Sequence, residues 1–268
     1  MKEPVFPERL AECYREMEKI TLPETAVVVN GAALAFWDKG SPLIRYAPPL
    51  IDPNQFIETA RQVFELLARY LPEMAADLQL LRESLPRTAD DRKALIEGLI
   101  KHDREAVTFL EDRTPVPPDV FGFAFSHVLR IFLGAYSQRL HREADLDGWW
   151  RGECPVCGSK PNFARVDARG RRYLHCGLCS TEWRFARAVC PFCGNTAPED
   201  LSFYAFEGGL YRVYVCNRCK GYIKTLVGQE PDQARPNLFW EDIKTVPLDM
   251  AAMRLGFINR AFFAEGVE

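Results

Sequence analysis

From Glu8 to Ile20 the apolar positions Leu10, Cys13, Met17 and Ile20 recur at helical spacing with charges between them. Asp52-Pro53 is a helix start, because proline suits the first turn, and Phe56, Val63, Phe64, Leu67 and Leu71 follow on one face. The same periodicity runs from Asp90 to Leu110 through Leu95, Leu99, Ala106 and Phe109, until Thr114-Pro115-Val116-Pro117-Pro118 breaks it. Val120 to Leu140 resumes with Phe121, Phe125, Leu129, Phe132 and Tyr136, apolar enough around its circumference to sit centrally in a bundle. Between these helices, Ala26 to Pro49 is irregular. Val27-Val28-Val29 fits a short strand or part of a helix, and Pro42, Pro48 and Pro49 predict a loop.

After Gly148-Trp149-Trp150 the period changes. Short β-like runs follow at Asn162–Val166, Arg172–His175, Glu182–Arg187, Leu201–Phe206 and Leu210–Val215, with Gly170, Asn195 and Gly208-Gly209 placed for turns. Helical spacing returns from Val246 to Phe263. The pattern predicts an α+β chain: a helical domain over 1–148, two tandem β modules over 149–188 and 189–228, and a C-terminal segment, 229–268, carrying a short helix.

Cysteine usage changes the picture most. Of nine cysteines, eight lie between Cys154 and Cys219 as four Cys-x-x-Cys pairs: Cys154/Cys157, Cys176/Cys179, Cys190/Cys193 and Cys216/Cys219. Two intervening residues let the backbone curl so that both sulfurs of a pair face one ion, and a second pair opposite completes a tetrahedron. Between Cys157 and Cys176 lie 18 residues, and between Cys193 and Cys216 lie 22; each gap holds two β-like runs joined by a turn. That spacing predicts one ribbon-type site from Cys154, Cys157, Cys176 and Cys179, and a second from Cys190, Cys193, Cys216 and Cys219. Joining the two middle pairs instead would close a ten-residue loop and separate the outer pairs. Gly158 and Gly194 directly follow the second cysteine of a pair, where positive φ turns backbone N–H groups toward sulfur, and Gly221 stands one position later. A tetrahedral set of four sulfurs suits zinc or iron, and the residues do not separate the two.

The ninth cysteine, Cys13, sits at an apolar helical position and reads as a small buried hydrophobe. His127 reads as a hydrogen-bonded core histidine, His102 and His141 as surface positions, and His175 as a candidate for tuning the sulfur beside it. No Ser/His/Asp set, phosphate loop or HExxH motif is visible, so the expectation is a protein that is not an enzyme.

Charge is uneven along the chain. Residues 1–150 balance to −6, residues 151–224 to +6 and residues 225–268 to −3. The basic segment either meets an acidic partner or packs beside its own acidic neighbours and offsets tetrathiolate charge. A nucleic-acid-binding ribbon protein fits the basic segment, but the acidic flanks and a pI near 5.9 argue against it. The first ten residues lack a basic start followed by an apolar run, and polar residues interrupt the most apolar stretch. The expectation is therefore a cytoplasmic chain with no membrane span, where paired cysteines bind metal more often than they form disulfides.

From Trp149 to Leu226 the chain resembles the formate dehydrogenase accessory protein family, FdhE. The resemblance rests on Gly152-x-Cys154-Pro-Val-Cys157-Gly158-Ser159-x-Pro161, on Tyr173-Leu174-His175-Cys176-x-Leu178-Cys179-x-x-Glu182-Trp183 with Arg187, and on Val215-Cys216-x-x-Cys219-x-x-Tyr222-x-Lys224-Thr225. It covers about 75 residues, and the third pair, with Pro191-Phe192 inside it, departs from the pattern. The resemblance implies a cytoplasmic maturation chaperone needed for active formate dehydrogenase, a molybdenum or tungsten enzyme whose catalytic subunit it binds. It also implies rubredoxin-like sites in which the eight cysteines hold two ions, with iron the expected metal and zinc the alternative. Trp183, Arg184, Arg187 and Tyr222 are the candidate partner-binding residues, since Trp, Tyr and Arg favour interface centres. Core packing is the expectation for Trp183 itself. A third functional class is a redox carrier, which requires iron with a reversible potential.

Overall fold

A computed structural model describes residues 8–101, 114, 116–142, 144–206, 208–229 and 236–261. His102, Ala106 and Phe109 lie outside them. The described residues form two compact units.

One unit, residues 8–30 and 48–139, is helical. It contains α1 (Glu8–Met17), α4 (Pro53–Tyr70), α5 (Ala75–Ser84), α6 (Ala89–Lys101) and most of a long helix, Pro118–Leu140. Asp52 starts α4 as expected: its carboxylate accepts from the N–H groups of Asn54 and Gln55, both at 2.8 Å, and Pro53 fills the first position. The apolar face of α4 meets the long helix through aromatic rings. Phe56 packs against Phe132 with centroids 5.1 Å apart, and Phe64 meets Phe125 edge-on at 5.2 Å. Cys13 is buried, which pushes its thiol up to about 11. The long helix is apolar and long enough to cross a membrane by composition alone, yet over half of its most apolar window is buried in protein. Two short strands, β1 (Val27–Val28) and β2 (Leu50–Ile51), pair antiparallel in this unit.

The other unit holds residues 31–47 and those described from 140 onward. Its centre is a six-stranded sheet of order β5-β4-β3-β8-β7-β6, formed by β3 (Phe163–Asp167), β4 (Arg172–His175), β5 (Glu182–Phe185), β6 (Leu201–Ala205), β7 (Tyr211–Cys216) and β8 (Tyr222–Gln229). Each half is an antiparallel meander of three strands. The halves join where β3 runs parallel to β8, with Phe163 opposite Lys224 and Ala164 opposite Thr225. The two ribbons expected as successive modules thus share one sheet.

Strand β8 was not visible in the periodicity. Its interruption is Lys224, 2% exposed in the middle of the strand. The lysine is tolerated because the C-terminal helices Leu238–Lys244 and Val246–Arg254 bring carboxylates to it, Asp242 at 2.7 Å and Asp249 at 2.6 Å. The single helix expected over Val246–Phe263 ends at Arg254, and Gly256 then takes a positive φ of 82°.

The irregular stretch before Pro48 also finds its place. Within it, α2 (Gly31–Leu34) and α3 (Leu43–Tyr46) are single turns. The N–H groups of Leu43 and Ile44, free because they open α3, donate to the carbonyls of Pro155 and Val156 at 2.8 and 2.9 Å. Trp37 stacks on Trp149 with centroids 6.0 Å apart.

Candidate metal centres

All four Cys-x-x-Cys pairs adopt the same turn. The N–H of each first cysteine donates to the carbonyl five residues on: Cys154 to Ser159, Cys176 to Thr181, Cys190 to Asn195 and Cys216 to Gly221, at 2.8–2.9 Å. In the first three turns, the residue after the second cysteine donates back to the carbonyl of the first. That following residue has positive φ in every case: Gly158 (79°), Ser180 (60°), Gly194 (71°) and Lys220 (56°). Glycine was expected to do this work, and at Gly158 and Gly194 it does. At the other two turns a serine and a lysine accept the left-handed conformation. Gly221 has a different duty: a Cβ there would lie 2.8 Å from Cδ2 of Phe192. Its N–H faces the sulfur of Cys219 at 3.4 Å.

The turns bring eight sulfurs into two groups, Cys154/Cys157/Cys176/Cys179 and Cys190/Cys193/Cys216/Cys219, each with all Sγ atoms within 4.8 Å of one another. The contacts run across turns, Cys154 to Cys179 at 3.5 Å, Cys157 to Cys176 at 3.4 Å, and Cys190 to Cys219 and Cys193 to Cys216 both at 3.7 Å. A disulfide would need about 2.05 Å. A tetrahedron of thiolates about 2.3 Å from a zinc-like ion has edges of roughly 3.8 Å, so both groups are near the size a metal requires. Donor chemistry fits as well, since four sulfurs suit zinc or iron equally.

Electrostatics in the first group show why a cation suits it. Burial, followed by hydrogen bonding among the neighbouring thiols, drives Cys154 far toward the protonated form. Cys157 is held well below the usual thiol range because Cys154, Cys176 and Cys179 hydrogen-bond to its thiolate. Four thiols packed in a dry cage compete for protons, and a divalent ion would take the place of protons there. In the second group, hydrogen bonding with Cys219 and then burial push Cys190 up.

The groups differ in access. All four sulfurs of the first are buried, whereas in the second Cys193 is exposed and Cys219 partly so. Small polar side chains two positions past the second cysteine border the sulfurs: Ser159 lies 3.4 Å from Cys157, Thr181 lies 3.1 Å from Cys179, and Asn195 donates to Cys216 at 3.8 Å. Sequence reasoning missed these three, although the repeated position was there to be compared. His175 turns Nδ1 to Asn162 at 3.2 Å, and Asn162 in turn donates to Asp242 at 2.7 Å.

Of the residues expected to face a partner, Arg184 and Arg187 are exposed, while Trp183 and Tyr222 are each 2% exposed. The Trp183 indole donates to the carbonyl of Arg151 at 2.9 Å, and the Tyr222 hydroxyl donates to Asp249 at 2.9 Å. Both are therefore packing residues in this conformation. Arg184 instead lies over Trp150, which is 55% exposed, at 5.8 Å. Much of the positive balance is also satisfied internally, with Arg165 on Glu182 at 2.6 Å, Arg171 on Asp167 at 2.7 Å, and Lys224 on its two aspartates.

A family model described as "FdhE, central domain" matches residues 153–187, the first ribbon. The "Protein FdhE homolog" of Aquifex aeolicus is 36% identical over 143 residues, 49% of this chain and 50% of that protein. This chain therefore spans about half the length of that relative. The homologue of Edwardsiella ictaluri is 29% identical over 248 residues, 89% of this chain and 72% of that protein. The crystal structure of the FdhE protein from Pseudomonas aeruginosa has the same fold, with a TM-score of 0.54 at 22% identity over 96% of this chain and 78% of its own. With the family model falling on the first ribbon and the likeness to FdhE homologues continuing through most of the sequence, the chain is similar to proteins of the FdhE family.

Proposed function

We propose that this chain is an accessory factor for formate dehydrogenase, which binds the enzyme's catalytic subunit in the cytoplasm during maturation and carries out no catalysis itself. The observation that carries this reading is the pair of four-cysteine clusters in a chain similar to FdhE proteins. In it, Cys154, Cys157, Cys176 and Cys179 hold one ion, and Cys190, Cys193, Cys216 and Cys219 hold another. Iron is the metal that the family resemblance favours, and zinc would fit the same donors. A bound ion ties the two turns of each ribbon together, and iron would add one-electron chemistry. Arg184 with Trp150, and Arg187, supply exposed cationic and aromatic surface of the kind that partner interfaces use.

The test is genetic and biochemical together. Deleting the gene should abolish formate dehydrogenase activity while leaving the catalytic subunit present, and the wild-type gene should restore it. Cys157→Ser and Cys193→Ser variants should restore it poorly. Tagged protein purified without oxygen should bring down the catalytic subunit, with two metal ions per chain and an iron–thiolate absorption if the metal is iron. Full enzyme activity in the deletion strain overturns the assignment.

A further inference from the structure

Beside the second cluster lies a cleft of about 400 Å³, bounded by the loop Arg187–Phe192 and by β6, β7 and β8. Its walls include Val189, Pro191, Phe192, Leu201, Phe203 and Ile223. Two guanidinium groups also line it, and among the described residues no acidic side chain does. Arg187 is exposed at the rim. Arg172 is 4% exposed on β4, with its guanidinium carbon 6.0 Å from the Phe185 ring and 5.4 Å from the Tyr214 ring. Nη1 donates to the carbonyl of Val189 at 3.2 Å, while Nε and Nη2 are sealed from water without a hydrogen-bond partner. Burial brings this group down to about 10, so it remains a cation at neutral pH.

A buried, incompletely satisfied cation in an apolar cleft is costly unless something of opposite sign answers it. A loaded tetrathiolate would offset part of the charge, but no sulfur lies within hydrogen-bonding reach of Nε or Nη2. That cluster also has a cation beside it in Arg260, which donates to the carbonyl of Cys219 at 2.6 Å. The neighbouring strand, β6, is at the edge of the sheet. Its Phe203 and Tyr204 remain 47% and 42% exposed, an open strand of the kind that extended peptides can border.

We infer that this cleft seats a partner polypeptide segment in which a carboxylate stands among apolar side chains. The inference rests on the accessory-factor reading for the existence of a partner. Arg187 meets the carboxylate directly, Arg172 attracts it by charge through the low-dielectric wall, and the apolar side chains fill the space against Phe192, Leu201 and Phe203.

Full-length protein should be tested against synthetic octapeptides, blocked at both ends, in which one Glu stands among Leu, Phe and Val. A matched set carries Gln instead. The Glu peptides should bind, and the Gln set should bind at least tenfold more weakly. Arg187→Met, on the surface, and Phe203→Ser, on the edge strand, should each weaken the Glu set severalfold without changing metal content; Arg172→Met should do so as well if it folds. Equal binding of both sets, binding unchanged by Arg187→Met and Phe203→Ser, or no binding by any peptide overturns the inference. Peptides tiling the formate dehydrogenase catalytic subunit separate the two readings. If the designed Glu peptides bind and the tiled ones do not, the cleft stands and the client assignment weakens. If the catalytic subunit co-purifies and no peptide binds, the client assignment stands and the cleft falls.

Discussion

Lys224, on the strand that joins the two ribbons, holds Asp249 of the last helix at 2.6 Å. Asp242 completes the arrangement at 2.7 Å, and Tyr222 donates to the far oxygen of Asp249. Removing one partner from such a buried set leaves charge without an answer, at a cost of about 3–5 kcal/mol. Lys224→Met should therefore lower unfolding stability by about that amount, measured by denaturant titration. Neutralising both carboxylates in the same background should recover much of the loss. A change below about 1 kcal/mol for Lys224→Met would show that the set contributes little.

Gly152 touches the second cluster's first turn, because a Cβ there would lie 1.8 Å from the carbonyl oxygen of Pro191. Backbone must move to admit even one carbon. Gly152→Ala should cost at least about 2 kcal/mol and disturb metal retention at both clusters, read from melting and metal stoichiometry. Normal behaviour on both measures would mean that the contact relaxes freely.

The left-handed residues give a graded series. Lys220→Gly relieves a strained φ and should raise stability by about 1 kcal/mol. Gly194→Ala, with open space around it, should lose about the same through φ alone. Gly158→Ala should lose more, since its Cβ would also press to 3.2 Å from Cγ of Pro42. Thermal melts of metal-loaded protein test the order; equal effects at 158 and 194 would remove the packing contribution.

Unequal access predicts unequal release of metal. A chelator added to loaded protein should withdraw one ion rapidly and the second far more slowly, since the first cluster is closed and the second exposes Cys193. Cys193→Ser should abolish the fast phase and leave the slow one. Two indistinguishable rates would contradict the asymmetry.

His127, on the long helix, packs between the rings of Tyr14 and Phe123, with centroids at 5.4 and 4.7 Å. Its Nε2 has no hydrogen-bond partner, and these two rings pack against the imidazole. Burial, with Arg130 adding to it, brings the imidazole down to about 4 from its ordinary value of 6.5. The unfolded chain therefore gains this proton first as pH falls. Stability from this group is complete above about pH 6.5 and is lost toward pH 4, by about 2–3 kcal/mol. His127→Phe should flatten the corresponding part of the stability–pH curve relative to wild type. Parallel curves would show that the histidine titrates freely.

The cysteine groups were legible because local spacing determines them: two residues between ligands, and a hairpin's length between pairs. The helices at Glu8–Met17, Pro53–Tyr70 and Pro118–Leu140 were legible from one-sided apolar periodicity. What escaped was set by distant partners. Strand β8 is interrupted by a lysine whose carboxylates arrive from residues 242 and 249. Residues 31–47 have no period because their place depends on the carbonyls of Pro155 and Val156. Tyr222 looked like an interface residue, and only the last helix reveals what its hydroxyl meets.

The parallel seam between β3 and β8 also bears on how the molecule is made. Strand β3 finds β4 within a few residues, but its other neighbour does not exist until synthesis has passed residue 222. A growing chain would thus have its first four sulfurs translated well before the sheet behind them could close, and non-local pairing of this sort forms slowly. The first ribbon's own meander can therefore pair before its parallel neighbour is made, whereas the shared six-stranded sheet is completed only when β8 has been added.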